Sequence, residues 1–291
     1  MKALYDLSAP AKVNLFLHIV GRRSDGYHLL QSVFALIDWA DTLHVERRDD
    51  GQLQRHDLGR VLPADDLCLR AARALQGASG TRLGADISID KTVPWGAGLG
   101  GGSSDAATTL LALNRLWGLN WPRERLAALA LPLGADVPFF IGGRAAFVEG
   151  IGERLTPIDL PPLWLAVVKP AQGLGTAEIF GSAELERQTP AVILADFLAD
   201  TQLGVSTAAG FGRNDLQPVA IGRCPQVGEV AQWLQARFGN SRMSGSGSAV
   251  FARAGTGDRP VATFTAADLP PGWVGRMCRS LVAHPLRAWA D

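Results

Sequence analysis

The chain has 291 residues, of which 47% are hydrophobic and 19% are charged, so it can bury one large core or two cores of ordinary size. Its 28 basic and 28 acidic residues cancel to a formal net charge of zero, which argues against a protein that binds duplex nucleic acid. Three scattered cysteines predict neither a disulfide framework nor a zinc site, and the sequence offers no signal peptide and no long apolar span, so we expect a cytoplasmic enzyme.

The first predicted element is a strand over residues 11–20, in which apolar side chains alternate with a second, more polar set. Successive side chains of a strand point to opposite faces, so Lys12 and Asn14 should lie side by side on one face. Two further strands are predicted over residues 31–37 and 42–47.

The next predicted element is a helix that has Asp66 at its N-cap and ends at Gly77. A strand over residues 85–91 follows it. Only four of the 28 basic residues are lysines, so a retained lysine can mark a position that favours a compact ammonium over a planar guanidinium. This argument singles out Lys12 and Lys91 as candidate site residues.

The strongest local signal is the segment 96–102, where five glycines lie between that strand and a helix predicted over residues 106–117. Glycine permits positive φ and close backbone approach, so consecutive N–H groups can point at one anion. The N-terminus of the following helix adds free N–H donors and the positive end of its dipole. The segment therefore predicts a phosphate-binding loop rather than an ordinary turn.

The rest of the chain predicts a mixture of elements. Helices are predicted over residues 122–130 and 229–238, and strands over residues 163–169 and 249–251. Strands and helices follow one another without regular βαβ alternation, which favours an α+β fold over a doubly wound sheet.

Several known phosphate loops compete for the glycine-rich segment. Residues 96–101 formally match the GxGxxG dinucleotide fingerprint, but a lone match is weak, and the acidic residue expected about 20 positions later falls inside a predicted helix, at Glu124. A Walker A loop needs a lysine after its glycines, and protein kinases need HRD and DFG triplets, neither of which is present. A dinucleotide-binding protein without phosphotransfer stays open as the alternative from another class.

Residues 94–107 resemble the PxGxGLGxSSA-type motif of the GHMP kinases, the superfamily of galactokinase, homoserine kinase, mevalonate kinase and phosphomevalonate kinase. Residues 10–15 resemble the N-terminal motif of this superfamily, and residues 244–249 resemble its C-terminal glycine loop. The resemblance implies a two-domain α+β fold, with domains over residues 1–150 and 151–291 and the active site in the cleft between them. It also implies ATP and Mg2+ as cofactors.

Further stretches resemble one group within this superfamily; they are residues 12–17, 22–28, 134–140 and 214–218. Members of that group phosphorylate the C2 hydroxyl of 4-diphosphocytidyl-2-C-methyl-D-erythritol in the non-mevalonate isoprenoid pathway. The resemblance therefore implies a small-molecule partner, a cytidine diphosphate-linked methylerythritol, with no nucleic acid and no membrane, and a monomer or homodimer. Another GHMP kinase, with a different alcohol such as homoserine, is the alternative within the class.

The same resemblance assigns candidate catalytic and substrate residues. Asp136 matches the proposed base that accepts the hydroxyl proton, and Lys12 would keep Asp136 charged or stabilise the transferring phosphoryl group. Tyr27 and His28 match the cytidine-binding pair, and Phe180 is expected to offer the opposite stacking face. Asn14 completes the predicted substrate-binding set.

The resemblance also predicts an ATP site around the glycine-rich segment, made of Pro94, Trp95, Gly96, Ala97, Gly98, Leu99, Gly100, Gly101, Gly102, Ser103, Ser104, Lys91 and Asp66. Ser103 is expected to approach Mg2+ and the β-phosphate. Asp66 departs from the family, which commonly has asparagine before this leucine. A carboxylate accepts hydrogen bonds but cannot donate them, so the departure bears on any contact with adenine.

Overall fold

A computed structural model describes residues 1–203 and 210–291. The first sheet contains β1 (Ala3–Arg22), β2 (His28–Arg48), β3 (Leu53–Asp57), β4 (Gly84–Asp90), β5 (Ala146–Glu149) and β6 (Arg154–Pro157). Its order is β3-β4-β2-β5-β6, and β1 pairs with the long strand β2 beside this path. Neighbours run antiparallel except for β3 and β4.

The second sheet contains β7 (Trp164–Lys169), β8 (Arg242–Met243), β9 (Val250–Gly255) and β10 (Val274–Arg279). Its order is β10-β7-β9-β8, and every pair is antiparallel. Mostly antiparallel sheets with helices confirm the predicted α+β class.

The helices are α1 (Leu67–Ser79), α2 (Gly101–Leu116), α3 (Arg123–Ala130), α4 (Val137–Gly142), α5 (Thr176–Phe180), α6 (Leu194–Leu203), α7 (Gln217–Arg223) and α8 (Pro225–Phe238). The pair α1 and α2 packs on the first sheet through Leu75, Leu110 and Ile87, all fully buried. The pair α7 and α8 packs on the second sheet through Val219 and Leu234. No helix within the described ranges has the length and apolarity needed to cross a membrane.

The two sheets share a buried apolar cluster. Val13 and Ile37 of the first sheet belong to it, together with Val167 and Phe251 of the second. β1 belongs to the first sheet, and its residues Ala11 and Val13 pack in the cluster shared with the second sheet. The middle section of β1 is therefore fixed between the two sheets.

The C-terminal segment returns to the first sheet. The N–H of Leu281 donates to the carbonyl of Leu36 at 2.9 Å, and Leu286 is buried in the core around α2. Strand β6 also belongs to the first sheet. The division into domains over residues 1–150 and 151–291 stays a prediction.

The outer edge of β1 is covered by loops instead of a further strand. The N–H of Lys12 donates to the carbonyl of Leu99 at 2.9 Å, and Leu17 exchanges hydrogen bonds with Arg213 and Asp215 at 2.8 and 2.9 Å. An unpaired strand edge needs such partners. The glycine-rich segment is thereby attached beside Lys12, and this attachment positions the site.

Some predicted boundaries were wrong. The helix α1 does not end at Gly77 but continues to Gly80, which takes the left-handed conformation at φ 68° and caps the helix. The helix α2 begins five residues earlier than predicted, because Gly100, at φ 70°, turns the chain directly into it. The two strands predicted in the region of β2 are one continuous strand. The other predicted elements are confirmed: β1, α8 and β9 are longer than predicted, α3 and β7 begin one residue later, and β4 is displaced by one residue.

Candidate active site

Two glycine-rich loops pack against each other at the centre of the site. A Cβ added to Gly98 would lie 2.1 Å from the carbonyl oxygen of Ser244, so the backbones touch where only glycine fits. The Oγ of Ser244 donates to the carbonyl of Gly98 at 2.9 Å, and the N–H of Ala249 donates to the carbonyl of Ala97 at 3.0 Å. The loop before β9 therefore supports the shape of the loop before α2.

A cavity of about 690 Å³ lies in front of these loops. Its wall includes residues 93–103, so the backbone of the whole glycine-rich segment and the first turn of α2 face it. The first N–H groups of a helix have no partner within the helix, and the positive end of its dipole lies there. This end of the cavity is built to hold an anion such as a phosphate chain.

The predicted catalytic pair meets in the same cavity. The Nζ of Lys12 lies 3.4 Å from Oδ2 of Asp136 and donates to Oδ1 of Asn14 at 2.6 Å. Asn14 is fixed in turn, because its Nδ2 donates to Oγ of Ser32 at 2.9 Å. The Lys12 side chain is 4% exposed and that of Asp136 is 31% exposed, so a fixed ammonium stands behind an accessible carboxylate.

Asp136 owes its position to the chain around it. It stands at the N-cap of α4, and the next residue, Val137, is buried, so the short helix fixes the direction of the carboxylate. A Cβ at Gly152 would come within 4.0 Å of Oδ1 of Asp136, so the turn before β6 lies close to the carboxylate. One side of Asp136 therefore meets Lys12, and the other faces the cavity.

Lys91 lines the cavity, but two carboxylates hold its ammonium. Its Nζ lies 2.5 Å from Oδ2 of Asp105 and also bonds Asp41, whose Oδ1 accepts the backbone N–H of Val93 at 2.8 Å. Burial raises the pKa of Asp105 well above its ordinary value; the nearby ammonium lowers it and the carboxylate of Asp41 raises it. Burial opposes the charge of Lys91, and the two carboxylates still raise its pKa. Lys91 thus anchors the segment that leads into the glycine-rich loop, and its positive charge is shared between the carboxylates of Asp41 and Asp105.

Asp66 also lines the cavity, and its oxygens have partners within the protein. Oδ1 accepts the N–H of Leu69 at 3.0 Å, which caps α1, and the same oxygen lies 3.0 Å from Nη1 of Arg55. Both contacts need only a hydrogen-bond acceptor at residue 66. The carboxylate of Asp66 therefore makes them as well as the amide that the family commonly has at this position.

The two serines of the motif have different environments. Ser103 lines the cavity. Ser104 does not: its Oγ donates to the carbonyl of Pro10 at 2.7 Å, and its N–H bonds the carbonyl of Gly100 at 2.9 Å. The structure therefore brings the predicted residue Ser103 to the site and gives Ser104 a role in attaching α2 to β1.

Of the three residues predicted to bind cytidine, only Phe180 is part of the cavity wall. The His28 ring packs against Phe180 with centroids 5.5 Å apart and planes at 41°. The side chain of Tyr27 is 60% exposed and lies near Arg23, whose guanidinium carbon is 6.0 Å from the ring centroid. Facing stacking surfaces from Tyr27 and Phe180 are therefore not formed in this structure.

Models of two families match the chain: "GHMP kinases N terminal domain" over residues 66–144 and "GHMP kinases C terminal" over residues 202–264. A 4-diphosphocytidyl-2-C-methyl-D-erythritol kinase from Methylibium petroleiphilum is 67% identical over 291 residues, covering all of this chain and 99% of the relative. One from Variovorax paradoxus is 56% identical over 298 residues, covering both proteins fully. The chain belongs to the 4-diphosphocytidyl-2-C-methyl-D-erythritol kinase family of GHMP kinases.

Solved structures agree with this assignment. A crystal structure of 4-(cytidine 5'-diphospho)-2C-methyl-D-erythritol kinase superposes with a TM-score of 0.74 at 39% identity, over 86% of this chain and 90% of the other. A homoserine kinase from Cytophaga hutchinsonii superposes with a TM-score of 0.68 at 16% identity, over 98% of this chain and 96% of the other, and shares the fold. As a GHMP kinase, the protein uses ATP.

Family membership excludes the dinucleotide-binding alternative. The glycine-rich segment leads from β4 into α2, and the next strand, β5, is separated from β4 by the antiparallel strand β2, whereas the dinucleotide fingerprint lies between two adjacent parallel strands. The formal GxGxxG match therefore arose from glycine density alone.

The sequence reasoning missed parts of the wall, namely Leu17, Leu30, Phe34, Leu62, Pro63, Asp65, Leu67, Val93, Asp105, Ala135, Ile151, Thr176, Gly245 and Ser246. Gly245 and Ser246 lie within the C-terminal glycine motif, Asp105 directly follows the two serines, and Leu17 and Ala135 lie within stretches that resemble the family, so these five had a motif signal. The other apolar members had none, because a leucine that lines a cavity and one that fills a core look alike in sequence.

Proposed function

We propose that this protein transfers the γ-phosphoryl group of ATP to the C2 hydroxyl of 4-diphosphocytidyl-2-C-methyl-D-erythritol. The observation that supports this most strongly is the 3.4 Å contact between Lys12 and Asp136, placed in one cavity with the glycine-rich segment. The near full-length relatives that carry the kinase name support the choice of substrate.

In this proposal Asp136 accepts the proton of the acceptor hydroxyl. The transition state of phosphoryl transfer is loose, so the proton moves late and a weak base is sufficient. Lys12 directs its positive charge toward the carboxylate and toward the space where charge develops on the phosphoryl oxygens. Asn14 keeps the ammonium in place through the 2.6 Å hydrogen bond.

The site is compatible with Mg2+ held mainly by phosphates. No cluster of three histidine, cysteine or acidic side chains that could hold a metal occurs among residues 1–203 and 210–291. Mg2+ in kinases is held largely by substrate phosphates and water, and Ser103 would offer a protein oxygen to it on the cavity wall. When bound, the ion would neutralise charge on the phosphate oxygens.

The remaining predictions join this proposal. We assign the phosphate loop to a domain over residues 1–150 and completion of the substrate site to residues 151–291. Phe180, His28 and Tyr27 would bind the cytidine, with Phe180 on the cavity wall. A monomer or homodimer in the cytoplasm is the expected form.

Release of ADP with different acceptors tests the proposal. We expect ADP in the presence of 4-diphosphocytidyl-2-C-methyl-D-erythritol, and background release with homoserine, with CDP, or with no acceptor. CDP is the matched control, because it offers the base and diphosphate without the branched alcohol. If homoserine were the one acceptor that stimulated ADP release, the proposed substrate would be rejected in favour of a homoserine kinase activity.

A further inference from the structure

A contact beside the cavity joins a predicted substrate residue to one that carries no motif. The Nε of Arg187 donates to Nε2 of His28 at 3.2 Å. A guanidinium has donors only, so Nε2 of the imidazole must present its lone pair. The ring is then neutral and carries its proton on Nδ1.

Arg187 is held in place by its own loop. Its Nη1 donates to the carbonyl of Leu185 at 3.0 Å, and its Nη2 donates to the carbonyl of Ser182. The loop directly follows α5, whose last residue, Phe180, lines the cavity and packs on His28. Arg187 therefore belongs to the same local unit as the two rings.

The electrostatics of the imidazole agree with this geometry. Burial, and then the positive charges of Arg187 and Arg22, lower the pKa of His28. Within the described part of the chain, Nδ1 of His28 donates to no protein acceptor, whereas Nε2 is engaged by Arg187. The free donor of the ring is thus its Nδ1–H.

We infer that Arg187 fixes the Nδ1–H tautomer of His28 and so makes this imidazole a hydrogen-bond donor to a pyrimidine ring acceptor. The inference rests on the proposed cytidine substrate. Cytosine has a bare N3 and O2 on its Watson–Crick edge, and uracil has an N–H at N3, so a fixed donor facing N3 favours cytosine. Arg187 acts on the base through His28 and is a positioning residue.

The tautomer is measured by 15N NMR of the imidazoles in the whole protein, free of substrate. The chain has five histidines, and His28→Gln identifies the signal. We expect a protonated Nδ1 and an unprotonated Nε2 in the wild type, and a shift toward Nε2–H in Arg187→Met. Arg22→Met is the matched control, because it removes a nearby positive charge and leaves the Arg187 contact intact. A wild-type proton on Nε2, or an unchanged tautomer in Arg187→Met, overturns the inference.

Kinetics give the second readout. Arg187→Met should raise the KM for the cytidyl substrate roughly tenfold, with kcat and the KM for ATP near wild type, and should reduce the preference over the uridyl analogue. An unchanged KM and preference would also overturn the inference. If the wild type fails to phosphorylate the cytidyl substrate, the proposed function is rejected, and the NMR result still decides the tautomer.

Discussion

At the residue scale, Asp136 carries the chemistry of the proposal. Asp136→Asn keeps the shape of the side chain and removes the proton acceptor, so we expect kcat to fall about 10²- to 10⁴-fold, the usual contribution of general base catalysis. The KM for ATP should stay near wild type. Steady-state kinetics give both values, and Asp159→Asn, at an exposed carboxylate, is the control. A kcat near wild type in Asp136→Asn would remove the base assignment.

Lys12 tests whether a compact ammonium is required. Its Nζ lies between Asn14 and Asp136 and 4.3 Å from the Phe34 ring centroid, a space that suits a point charge better than a planar fork. We expect Lys12→Arg to lower kcat at least tenfold while thermal unfolding stays within a few degrees. The control is Lys2→Arg, the same substitution at an exposed lysine, which should leave kcat unchanged. Full activity in Lys12→Arg would refute the argument from lysine scarcity.

Substitutions of Phe180 and Tyr27 test the proposed cytidine-binding site. Base stacking on an aromatic ring contributes ~1–3 kcal/mol, so Phe180→Ala should raise the KM for the cytidyl substrate by roughly ten- to a hundredfold. The KM for ATP should not change. Tyr27→Ala separates two possibilities, since Tyr27 is exposed without substrate: an equal rise means that it closes on the base, and no rise means that Phe180 stacks alone. Unchanged KM values in both variants would reject the cytidine site.

Motifs predicted which residues meet in the site better than they predicted how those residues are held. Lys12 and Asp136 were paired from sequence, and the structure brings them to 3.4 Å. The partners of Lys91, which include Asp41, could not be predicted, because a carboxylate reaches an ammonium only through the folded sheet. Arg187 has no motif at all, and its role depends on how a loop folds back toward His28.

At the element scale, the contact between the two glycine loops sets the shape of the anion site. Gly98→Ala places a Cβ 2.1 Å from the carbonyl oxygen of Ser244, whereas a Cβ at Gly96 meets nothing within 4 Å. Both glycines have positive φ, so Gly96→Ala measures backbone strain alone, about 1–2 kcal/mol. Gly98→Ala should lower the free energy of urea unfolding by more than this and raise the KM for ATP. Equal effects would show that the loop contact does not matter.

The lengths of elements were harder to predict than their kinds. Glycines usually end helices, yet α2 begins with Gly101 and Gly102, because burial of its following residues against the first sheet outweighs their low helix propensity. β2 runs through the gap between the two predicted strands because β1 pairs with it there, at Ala40 and Asp41, whereas β4 and β5 pair with β2 on either side of the gap. Such tertiary pairing leaves no local signal.

At the scale of the whole molecule, His284 attaches the C-terminal segment to α2. Its Nδ1 accepts the N–H of Leu286 at 3.0 Å, and its Nε2 lies 3.4 Å from Oγ1 of Thr108. Burial, with a smaller contribution from Arg123, lowers the pKa of His284 from 6.5 to about 4. The unfolded chain therefore takes up this proton at higher pH than the folded protein.

Stability should accordingly fall as the pH drops from about 6.5 to about 4, by about 3 kcal/mol from His284, because each pKa unit corresponds to about 1.4 kcal/mol. Urea unfolding across this range measures the loss. His284→Gln should flatten the pH dependence, whereas His56→Gln, at a half-exposed site, should keep it. A wild-type slope that His284→Gln leaves intact would assign the acid sensitivity to other groups.

The central claim is that one cavity brings ATP, Lys12, Asp136 and the branched alcohol together for transfer to the C2 hydroxyl. The most direct measurement is 31P and 13C NMR of the product formed from ATP and 4-diphosphocytidyl-2-C-methyl-D-erythritol. We predict one new phosphomonoester, coupled to C2, for each ADP released, and its formation at a greatly reduced rate in Asp136→Asn. ADP release without a phosphorylated alcohol, or a phosphate on another hydroxyl, would contradict this account.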